Sequence, residues 1–504
     1  MNCKTYTSED ETLEKSLSAK KTWIALSILL LASFLRLYDL GNAPLFFDES
    51  VHAAIMESVP DSYRYNPAFH GPLHYYTVAP VAKLLGTDEF SLRLVPAILG
   101  ILFVASIFLY RRYLGDRAYI AAFLVAISPI IVNYSRFYRE DVYVLLFTSL
   151  GLYFYLRYLE FENSWKEIKL DRSTVYFILF SVFMSLFAAV KETFYVFAAM
   201  LSLYSVFLIK RIRLTDLALG AAVFFAIYLT LFSVFWRVNV LSFEEFPMVK
   251  AVSYWYSQHA SDKPIPSGPP LYYVILLLLY DAPAAILAMI AVYGYLKKSE
   301  RSEFTTLFVY LFLANFLFFT YMREKAPWLA VHIEFPMFML AAKAANKKSL
   351  VIAAVFLLYG CIAVNFANPI NYAEPALYLP TTYETREFAS KIGENDTVYF
   401  IMDAGEAWPA AWYVKAYTGK YPYILKDCQK VHADVIVSTN ESCARSFSTE
   451  LETFPVRCWP YWTDLDTWLD PGIIHRLPKF LLFRTSLSEK VYCTNYSVAW
   501  VAPE

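Results

Sequence analysis

The sequence contains little charge and lacks the common nucleotide-binding motifs. Only 18% of its 504 residues are charged, whereas soluble domains have about a quarter. The formal net charge is -1, so no electrostatic field favours nucleic acid as a partner. There is no P-loop and no glycine fingerprint for a dinucleotide, which leaves ATP and NAD chemistry without support. No two of the six cysteines have the C-x-x-C spacing of zinc or thioredoxin-like sites.

Apolar content, by contrast, is high and is organised in long runs. Hydrophobic residues make up 58% of the chain and aromatic residues 18%, and aromatic rings are enriched at membrane interfaces. Segments that approach the length needed to cross a bilayer occur eleven times. They are residues 22–39, 93–110, 118–134, 142–157, 174–190, 193–209, 216–236, 271–296, 304–321, 328–343 and 349–367. The pattern predicts an all-α polytopic membrane domain of about 11 transmembrane helices.

Lysine and arginine residues indicate how these predicted spans are oriented in the cell membrane. Each of the five connections that follow an even-numbered span carries three or four of them, and such loops are normally cytoplasmic. We therefore expect residues 1–21 in the cytoplasm, residues 22–369 in a membrane domain with an outer loop at about 40–92, and residues 370–504 outside. A second outer segment, 238–270, has four prolines near its end and is predicted to be an irregular loop.

Beyond residue 370 the composition changes to that of a small extracytoplasmic α/β domain. The predicted elements are strands at Val398–Met402, Asp434–Ser438 and Phe480–Arg484 and a helix at Glu406–Tyr417. Four cysteines fall in this domain: Cys428, Cys443, Cys458 and Cys493. Outside the cytoplasm they would form two disulfides in one of three pairings. Four free thiols are the alternative.

The first acidic cluster follows the first predicted span. Asp48 and Glu49 are adjacent, and His52 shares a helical face with Asp48 if a helix begins there. Two carboxylates beside a membrane surface can supply a general base for an acceptor hydroxyl. The alternative is that Asp48 caps a helix, a position at which Asp is preferred.

A basic cluster lies in a short outer loop and contains Arg136, Arg139 and Asp141. Two guanidinium groups at a membrane face suit a lipid-linked phosphate, because arginine binds phosphate bidentately and keeps its charge. Anchoring to lipid headgroups is the alternative. Arginines on the predicted outer side break the positive-inside pattern, which weakens that alternative.

Further candidates lie in the other outer loops and span ends. They are His70, Lys191, Glu192, Glu324, Lys325 and His332. A solvated loop position is the alternative for His70, and mutual neutralisation is the alternative for Lys191 and Glu192. Asp281 lies within the eighth span, where a charge costs about 2.5–3.5 kcal/mol and so points to function. A structural hydrogen bond beside Pro283 is the other explanation.

Together these motifs resemble those of membrane glycosyltransferases with the GT-C fold, a class that includes protein O-mannosyltransferases and the aminoarabinose transferase that modifies lipid A. In that class an Asp-Glu pair follows the first span, as Asp48-Glu49 does here. A Ser-Arg-x4-Asp motif is similar to Ser135-Arg136 through Asp141. A His-Pro-Pro-Leu motif appears as His70-Gly71-Pro72-Leu73, with one proline replaced.

The chain resembles more closely an archaeal family of flippase-activity-associated proteins of N-glycosylation. The similar motifs are Phe47-Asp48-Glu49 with His52, Tyr134-Ser135-Arg136-Phe137, Glu324-Lys325 with Pro327-Trp328-Leu329 and His332, and Ala407-Trp408-Pro409 with Trp412-Tyr413. No Trp-Trp-Asp-Tyr-Gly motif occurs, which disfavours the oligosaccharyltransferase branch of the class.

The resemblance implies a one-step, inverting transfer of a hexosyl or pentosyl group from a polyprenyl- or dolichyl-phosphate donor to an extracytoplasmic acceptor. Asp48 would act as general base, and Glu49 would orient Asp48 or the substrate. Arg136 and Arg139 would hold the donor phosphate, with Lys191 and Lys325 as further phosphate candidates. Members of the class differ in metal use, so a divalent cation stays open, as does the acceptor.

Two other functions compete with this hypothesis. The description of the archaeal family keeps a lipid-linked sugar flippase or flippase accessory as the main alternative. A translocase should place polar groups along a path between the two faces, whereas here most candidates crowd the outer side and Asp281 is the main exception. A scaffolding membrane protein is the third hypothesis, but it leaves the clustered acids and arginines without a role.

Overall fold

The structure is a computed structural model that describes residues 8–209, 212–261, 266, 268–297, 301–458, 462, 465–488 and 492–501. The first seven residues of the predicted cytoplasmic segment lie outside this range. So do residues 210–211 and 298–300 of two basic loops, and the last three residues of the chain.

The described residues form helices over most of the chain and a sheet near its end. In chain order the helices are α1 (Ser8–Leu37), α2 (Phe47–Glu57), α3 (Leu73–Leu85), α4 (Glu89–Ile107), α5 (Arg111–Leu114), α6 (Arg117–Ile127), α7 (Pro129–Ser135), α8 (Asp141–Leu159), α9 (Arg172–Ala188), α10 (Thr193–Tyr204), α11 (Leu214–Phe232), α12 (Pro247–Ala260), α13 (Tyr272–Tyr280), α14 (Ala282–Leu296), α15 (Glu303–Tyr321), α16 (Val331–Ala344), α17 (Lys347–Ile362), α18 (Tyr383–Ser390), α19 (Ala410–Thr418), α20 (Glu441–Arg445), α21 (Leu465–Leu469) and α22 (Ile473–Phe483). The strands are β1 (Val398–Ile401), β2 (Tyr423–Leu425), β3 (Val435–Ser438), β4 (Leu451–Cys458) and β5 (Cys493–Trp500).

Several of these helices suit a membrane. Five are long and apolar enough to cross one, and the number rises to seven if two bent pairs each count as one span. The bent pairs are α6 with α7, at 65°, and α13 with α14, at 112°. Pro129 and Pro283 lie in the first turn of the second helix of each pair, where proline is accepted because its missing N–H has no intrahelical partner there. A multi-pass helical domain is therefore present, but the predicted count of about 11 is not confirmed.

The C-terminal sheet has five strands in the order β2-β1-β3-β5-β4. Strand β1 runs parallel to β2 and β3, while β5 runs antiparallel to β3 and β4. Predicted strands at Val398–Met402 and Asp434–Ser438 correspond to β1 and β3. The predicted strand at Phe480–Arg484 is wrong, because this segment ends α22. Apolar residues repeat every three or four positions from Ile473 onward, which is the spacing of a helix face.

Two further details of the prediction change. The helix expected at Glu406–Tyr417 begins only at Ala410, after turns that end at Pro409. The segment 238–270 is not wholly irregular, because α12 occupies Pro247–Ala260. The prolines that suggested a loop follow this helix, and Pro247 lies at its start, so neither set interrupts it.

The cysteines of this region form two disulfides. Cys428 pairs with Cys443, and Cys458 pairs with Cys493. The second bond joins directly opposed residues of β4 and β5. Of the three pairings open from the sequence, the structure has the one that joins the first cysteine to the second and the third to the fourth.

The sheet and its helices, here called the C-terminal unit (residues 370–501), attach to the segment that carries α2. The Leu45 N–H donates to the Tyr413 hydroxyl at 2.6 Å, and this hydroxyl donates to Glu89 at 2.8 Å. Lys415 forms an ion pair with Glu57 at the end of α2. Apolar side chains of α2, α3 and the sheet share one buried cluster. These contacts fix where α2 begins, and therefore where its first carboxylates lie.

Candidate functional site

A cavity of about 630 Å³ lies between α2, the loop before α3, α12 and the segment after α15. Seven of the residues predicted from the sequence line it: Asp48, His52, His70, Arg139, Lys191, Glu192 and Glu324. Much of the remaining wall is aromatic or aliphatic, with Phe47, Val196, Val252, Tyr254, Trp255, Phe318, Phe319, Trp328, Leu329 and Tyr378. The cavity thus joins a polar group of titratable side chains to a large apolar surface.

Asp48 lies in the first turn of α2 and faces this cavity. Its side chain is 23% exposed and forms an ion pair with Arg139. Burial raises the pKa of Asp48, and the Arg139 guanidinium opposes that rise. The carboxylate is therefore accessible, oriented by one cation, and closer to neutral pH in its titration than an ordinary aspartate.

Glu49 has different surroundings, although it is the next residue. It is fully buried, and its oxygens accept hydrogen bonds from the N–H groups of Phe46 and Tyr138. The Arg93 guanidinium also donates to both oxygens. Arg93 in turn donates to the carbonyls of Leu40, Ala43 and Pro44. Glu49 therefore joins the start of α2 to α4 and to the loop before α8.

Arg139 is buried at the centre of the polar group. It donates to Asp48, to Glu140 at 3.0 Å and to Asp141 at 3.3 Å. Its guanidinium carbon lies 4.0 Å from the centre of the Trp328 ring, in a cation–π contact. A guanidinium has five N–H donors, so these three hydrogen bonds leave donors for a further anion.

Lys191 lies in the turn between α9 and α10, where almost no loop separates the two helices. Its ammonium donates to Glu140 at 2.8 Å and to Asp141 at 2.5 Å. Burial alone would lower the pKa of Lys191, but the two carboxylates raise it overall, so the side chain stays charged. Since an ammonium has three donors and Lys191 lines the cavity, one donor remains for a ligand.

His70 connects the two acidic residues on either side of it. Its Nδ1 lies 2.6 Å from Glu192 and its Nε2 lies 3.1 Å from Glu140. The other Glu192 oxygen accepts from the Tyr65 hydroxyl at 2.8 Å. Burial would lower the pKa of His70, yet the two carboxylates raise it. A protonated His70 would use both of its N–H donors in this arrangement.

The glycine that replaces a proline of the resembled motif has a physical explanation. The Gly71 N–H donates to the Val190 carbonyl at 2.9 Å, and the Leu73 N–H donates to the Ala189 carbonyl at 3.0 Å. A Cβ atom at residue 71 would overlap the Ala189 carbonyl. Proline would add that carbon and remove the donor. The loop that carries His70 can therefore lie against the α9–α10 turn only with glycine here.

Five predicted site residues lie outside the cavity lining. Arg136 donates to the carbonyls of Leu35, Arg36, Tyr38 and Asp39 and so caps the end of α1. Lys325 donates to the carbonyls of Phe319, Thr320 and Met322 at the end of α15. His332 stacks between Phe187 and Phe319 within the bundle. Glu49 is the fourth. Asp141 also lies behind the lining, but it contacts Arg139 and Lys191 directly.

Several residues of the site were absent from the predicted set. Glu140 accepts from Arg139, Lys191 and His70, and His74 is fully buried nearby. Both lie within or next to motifs that the sequence analysis had identified, so their proximity to the predicted residues in the chain could have indicated them. Trp255 lies on α12 and forms part of the cavity wall, but the proline pattern had concealed that helix. Arg93 gave no signal, because only the fold brings it to Glu49.

One group in this region has the donor atoms for a metal ion. Among the described residues, His52, His74 and Glu140 place ligand atoms within 4.8 Å of one another.

Comparisons with known proteins agree with this architecture. A family model described as dolichyl-phosphate-mannose-protein mannosyltransferase matches residues 69–236. ArnT from Cupriavidus metallidurans, solved with undecaprenyl phosphate, is similar at a TM-score of 0.61 and 15% identity, over 86% of this chain and 96% of that one. The archaeal oligosaccharyltransferase AglB from Archaeoglobus fulgidus was solved with an inhibitory peptide and a dolichol-phosphate. It is similar at a TM-score of 0.54 and 14% identity, over 81% of this chain and 64% of that one. No curated protein sequence matches the chain.

Proposed function

From the GT-C fold that this chain has, we propose that it is a membrane glycosyltransferase that uses a polyprenyl- or dolichyl-phosphate sugar. The acceptor is on the extracytoplasmic face, in keeping with the distribution of lysine and arginine among the predicted loops. One observation carries the proposal: a partly exposed Asp48 carboxylate and the cations Arg139 and Lys191 line the same cavity.

The reaction is a single displacement. The acceptor hydroxyl gives its proton to Asp48 while its oxygen attacks the anomeric carbon of the sugar. The bond from that carbon to the phosphate oxygen breaks, and the electron pair leaves on the lipid phosphate. Attack from the side opposite the leaving group inverts the configuration. The raised pKa of Asp48 suits this role, since a base with a pKa nearer the working pH accepts a proton more readily.

Arg139 and Lys191 supply positive charge for the leaving phosphate. Each has donors that its carboxylate partners leave unused, as their hydrogen bonds indicate. Donors already fixed by protein contacts need little reorganisation when negative charge develops on the phosphate. Arg136 has no part in this proposal, because it does not line the cavity and instead donates to carbonyls at the end of α1.

The rest of the cavity wall suits the other parts of the donor. Aromatic faces such as those of Trp255 and Tyr254 offer surfaces for a sugar ring, and Val252 and Phe318 offer an apolar surface for the lipid. A polyprenyl chain gains about 25 cal/mol for each Å² of apolar surface removed from water. The polar end of the cavity then receives the phosphate.

The test is sugar transfer by the purified full-length chain in liposomes. A panel of radiolabelled polyprenyl-phosphate sugars serves as donor, and membrane extract of the host provides acceptors. Asp48→Asn keeps the size of the side chain and removes the base, so turnover should fall by roughly 10²–10⁴-fold. Asp61→Asn is the matched control, because Asp61 is 90% exposed and pairs only with Arg237 among the described contacts.

The same liposomes distinguish a transferase from a lipid-linked sugar flippase, which is the main alternative. Transfer that disappears in Asp48→Asn but not in Asp61→Asn supports the transferase and identifies its donor. Movement of labelled lipid between leaflets without any transfer supports a flippase. Transfer that is unchanged in Asp48→Asn removes Asp48 from the mechanism.

A further inference from the structure

The hydrogen bonds around His52 determine which of its nitrogens has a free lone pair. The Tyr75 hydroxyl donates its proton to the Phe69 carbonyl at 2.8 Å. Tyr75 therefore accepts from His52, whose Nδ1 lies 2.8 Å from the same hydroxyl. This network assigns the proton of the neutral imidazole to Nδ1. Nε2 is then left with a lone pair and no proton.

That lone pair faces an oxygen that is also without a proton donor. His52 Nε2 lies 3.8 Å from Glu140 Oε2, and Oε2 is buried without a hydrogen-bond partner. The other oxygen of Glu140, Oε1, accepts from Arg139, Lys191 and His70. A buried nitrogen lone pair and a buried carboxylate oxygen repel each other unless a proton or a metal cation lies between them.

His74 completes the group. It is fully buried, and neither of its ring nitrogens makes a hydrogen bond of normal geometry among the described residues. Its ring lies 5.0 Å from that of His52 and is nearly perpendicular to it, at 89°. Buried polar side chains are normally hydrogen-bonded, and an exception calls for an unseen partner. Three ligand atoms, one each from His52, His74 and Glu140, lie within 4.8 Å of one another.

We infer that His52, His74 and Glu140 bind one divalent transition-metal ion, with Zn²⁺ as the best match. Two imidazoles and one carboxylate are a ligand set that zinc accepts in tetrahedral sites with a fourth, open position. Bonds of about 2.0 Å place adjacent ligand atoms about 3.3 Å apart, so the three side chains need only small rotations. Tyr75 is the positioning residue, since it holds the tautomer of His52.

The charge balance supports a cation at this point. Four carboxylates, those of Asp48, Glu140, Asp141 and Glu192, are linked by ion pairs in the described structure. Their permanent cations are Arg139 and Lys191, and a protonated His70 would add a third charge. The net charge of this group is therefore negative before an anionic ligand binds. A divalent ion cancels the negative charge that Arg139 and Lys191 leave, which removes the repulsion that an anionic ligand in the adjoining cavity would otherwise meet.

This inference does not depend on the proposed transferase activity, because metal binding is measured directly. Tag-free full-length protein in detergent is stripped with a chelator and titrated with Zn²⁺ by calorimetry. In parallel it is titrated with Co²⁺ and read by visible absorption, which reports the coordination geometry. We expect one equivalent of either ion, a tetrahedral Co²⁺ spectrum, and a higher unfolding temperature with Zn²⁺ than with chelator.

Variants identify the ligands. His74→Ala should weaken Zn²⁺ binding by more than about 100-fold, and Tyr75→Phe by about 10–100-fold, as loss of an orienting partner does. His332→Ala is the control, because His332 is also buried with a free ring nitrogen but lies outside the group. Tyr75→Phe removes one oxygen and so remains informative if His74→Ala does not fold.

Two results would overturn the inference. The first is wild-type protein that binds neither ion and shows no thermal shift, in which case His52 and Glu140 form an ion pair through a proton. The second is tight binding that persists in His74→Ala, which would place the metal elsewhere.

Discussion

The Arg93 guanidinium donates in parallel to both oxygens of Glu49, with Nε 2.7 Å from Oε1 and Nη2 2.6 Å from Oε2. The neighbouring carboxylate, Asp48, is partly exposed and faces the cavity. The two adjacent acids thus have different surroundings, one buried against Arg93 and one facing the cavity, because successive residues of a helix project in different directions. Their substitutions should have different consequences.

Loss of Glu49 should affect the stability of the fold more than it affects the rate of sugar transfer. Glu49→Ala leaves the buried Arg93 charge without a counter-charge, which costs about 3–5 kcal/mol, and the unfolding temperature should fall. Glu441→Ala is the control, since it removes a carboxylate whose Oε1 accepts two hydrogen bonds from exposed Arg445, and exposed pairs contribute about 0–1 kcal/mol. Thermal unfolding in detergent measures both. Similar unfolding temperatures for the two variants would contradict the structural role of Glu49.

The pH dependence of transfer should report the Asp48 carboxylate. Only its ionised form accepts a proton, so kcat/KM should fall as the pH decreases through its pKa. Burial raises that pKa, so the acid limb should lie above the ordinary aspartate value of about 3.9. Arg139 holds the pKa down, so Arg139→Gln should move the limb to higher pH. If the acid limb does not move in this variant, Asp48 is not the group whose titration the pH profile reports.

Gly71 should not tolerate a side chain. Gly71→Ala places a carbon against the Ala189 carbonyl, and overpacking of this kind costs about 1–3 kcal/mol. Gly71→Pro should cost more, because the hydrogen bond to Val190 is also lost. Gly405→Ala is the control, since a Cβ atom there meets nothing within 4 Å. Unfolding temperatures should rank the control first, then alanine, then proline at residue 71.

Reduction of the disulfides should destabilise the C-terminal unit. Each bond contributes about 2–4 kcal/mol, and more for a longer closed loop. Cys458 and Cys493 are 35 residues apart, and Cys428 and Cys443 are 15 apart. Replacing both Cys458 and Cys493 by serine should therefore lower the unfolding temperature more than replacing both Cys428 and Cys443. Non-reducing mass spectrometry of the wild type verifies the pairing, and any other pairing would remove the basis of this ranking.

How far the sequence predicts this molecule depends on how local each feature is. Asp48, His70 and Lys191 lie in short motifs next to long apolar runs, so both the motif and its place at a helix end were visible. Arg136 belongs to the same kind of motif, yet its donors turn to α1, and no local pattern distinguishes it from Arg139. Such partners are set by the packing of helices that are distant in the chain.

The helix breaks show the same limit. The apolar runs through Ser128 and Asp281 continue on both sides of these residues, so hydropathy assigns one span to each. The chain instead bends there, by 65° and 112°. Helix α12, in the second predicted outer segment, was missed because a proline cluster outweighed the helical spacing of its residues. Helix α22, in the C-terminal unit, was missed because its short apolar run suggested a strand.

The contacts of Tyr413 with Leu45 and Glu89 have a practical consequence for protein engineering. They tie the C-terminal unit to the very turn that presents Asp48, so the unit is not a detachable module. A chimera that exchanges it with that of a relative should carry its own version of α2 and of residue 89. Truncation near residue 370, by the same reasoning, would disturb Asp48 from a distance of more than 300 positions in the chain.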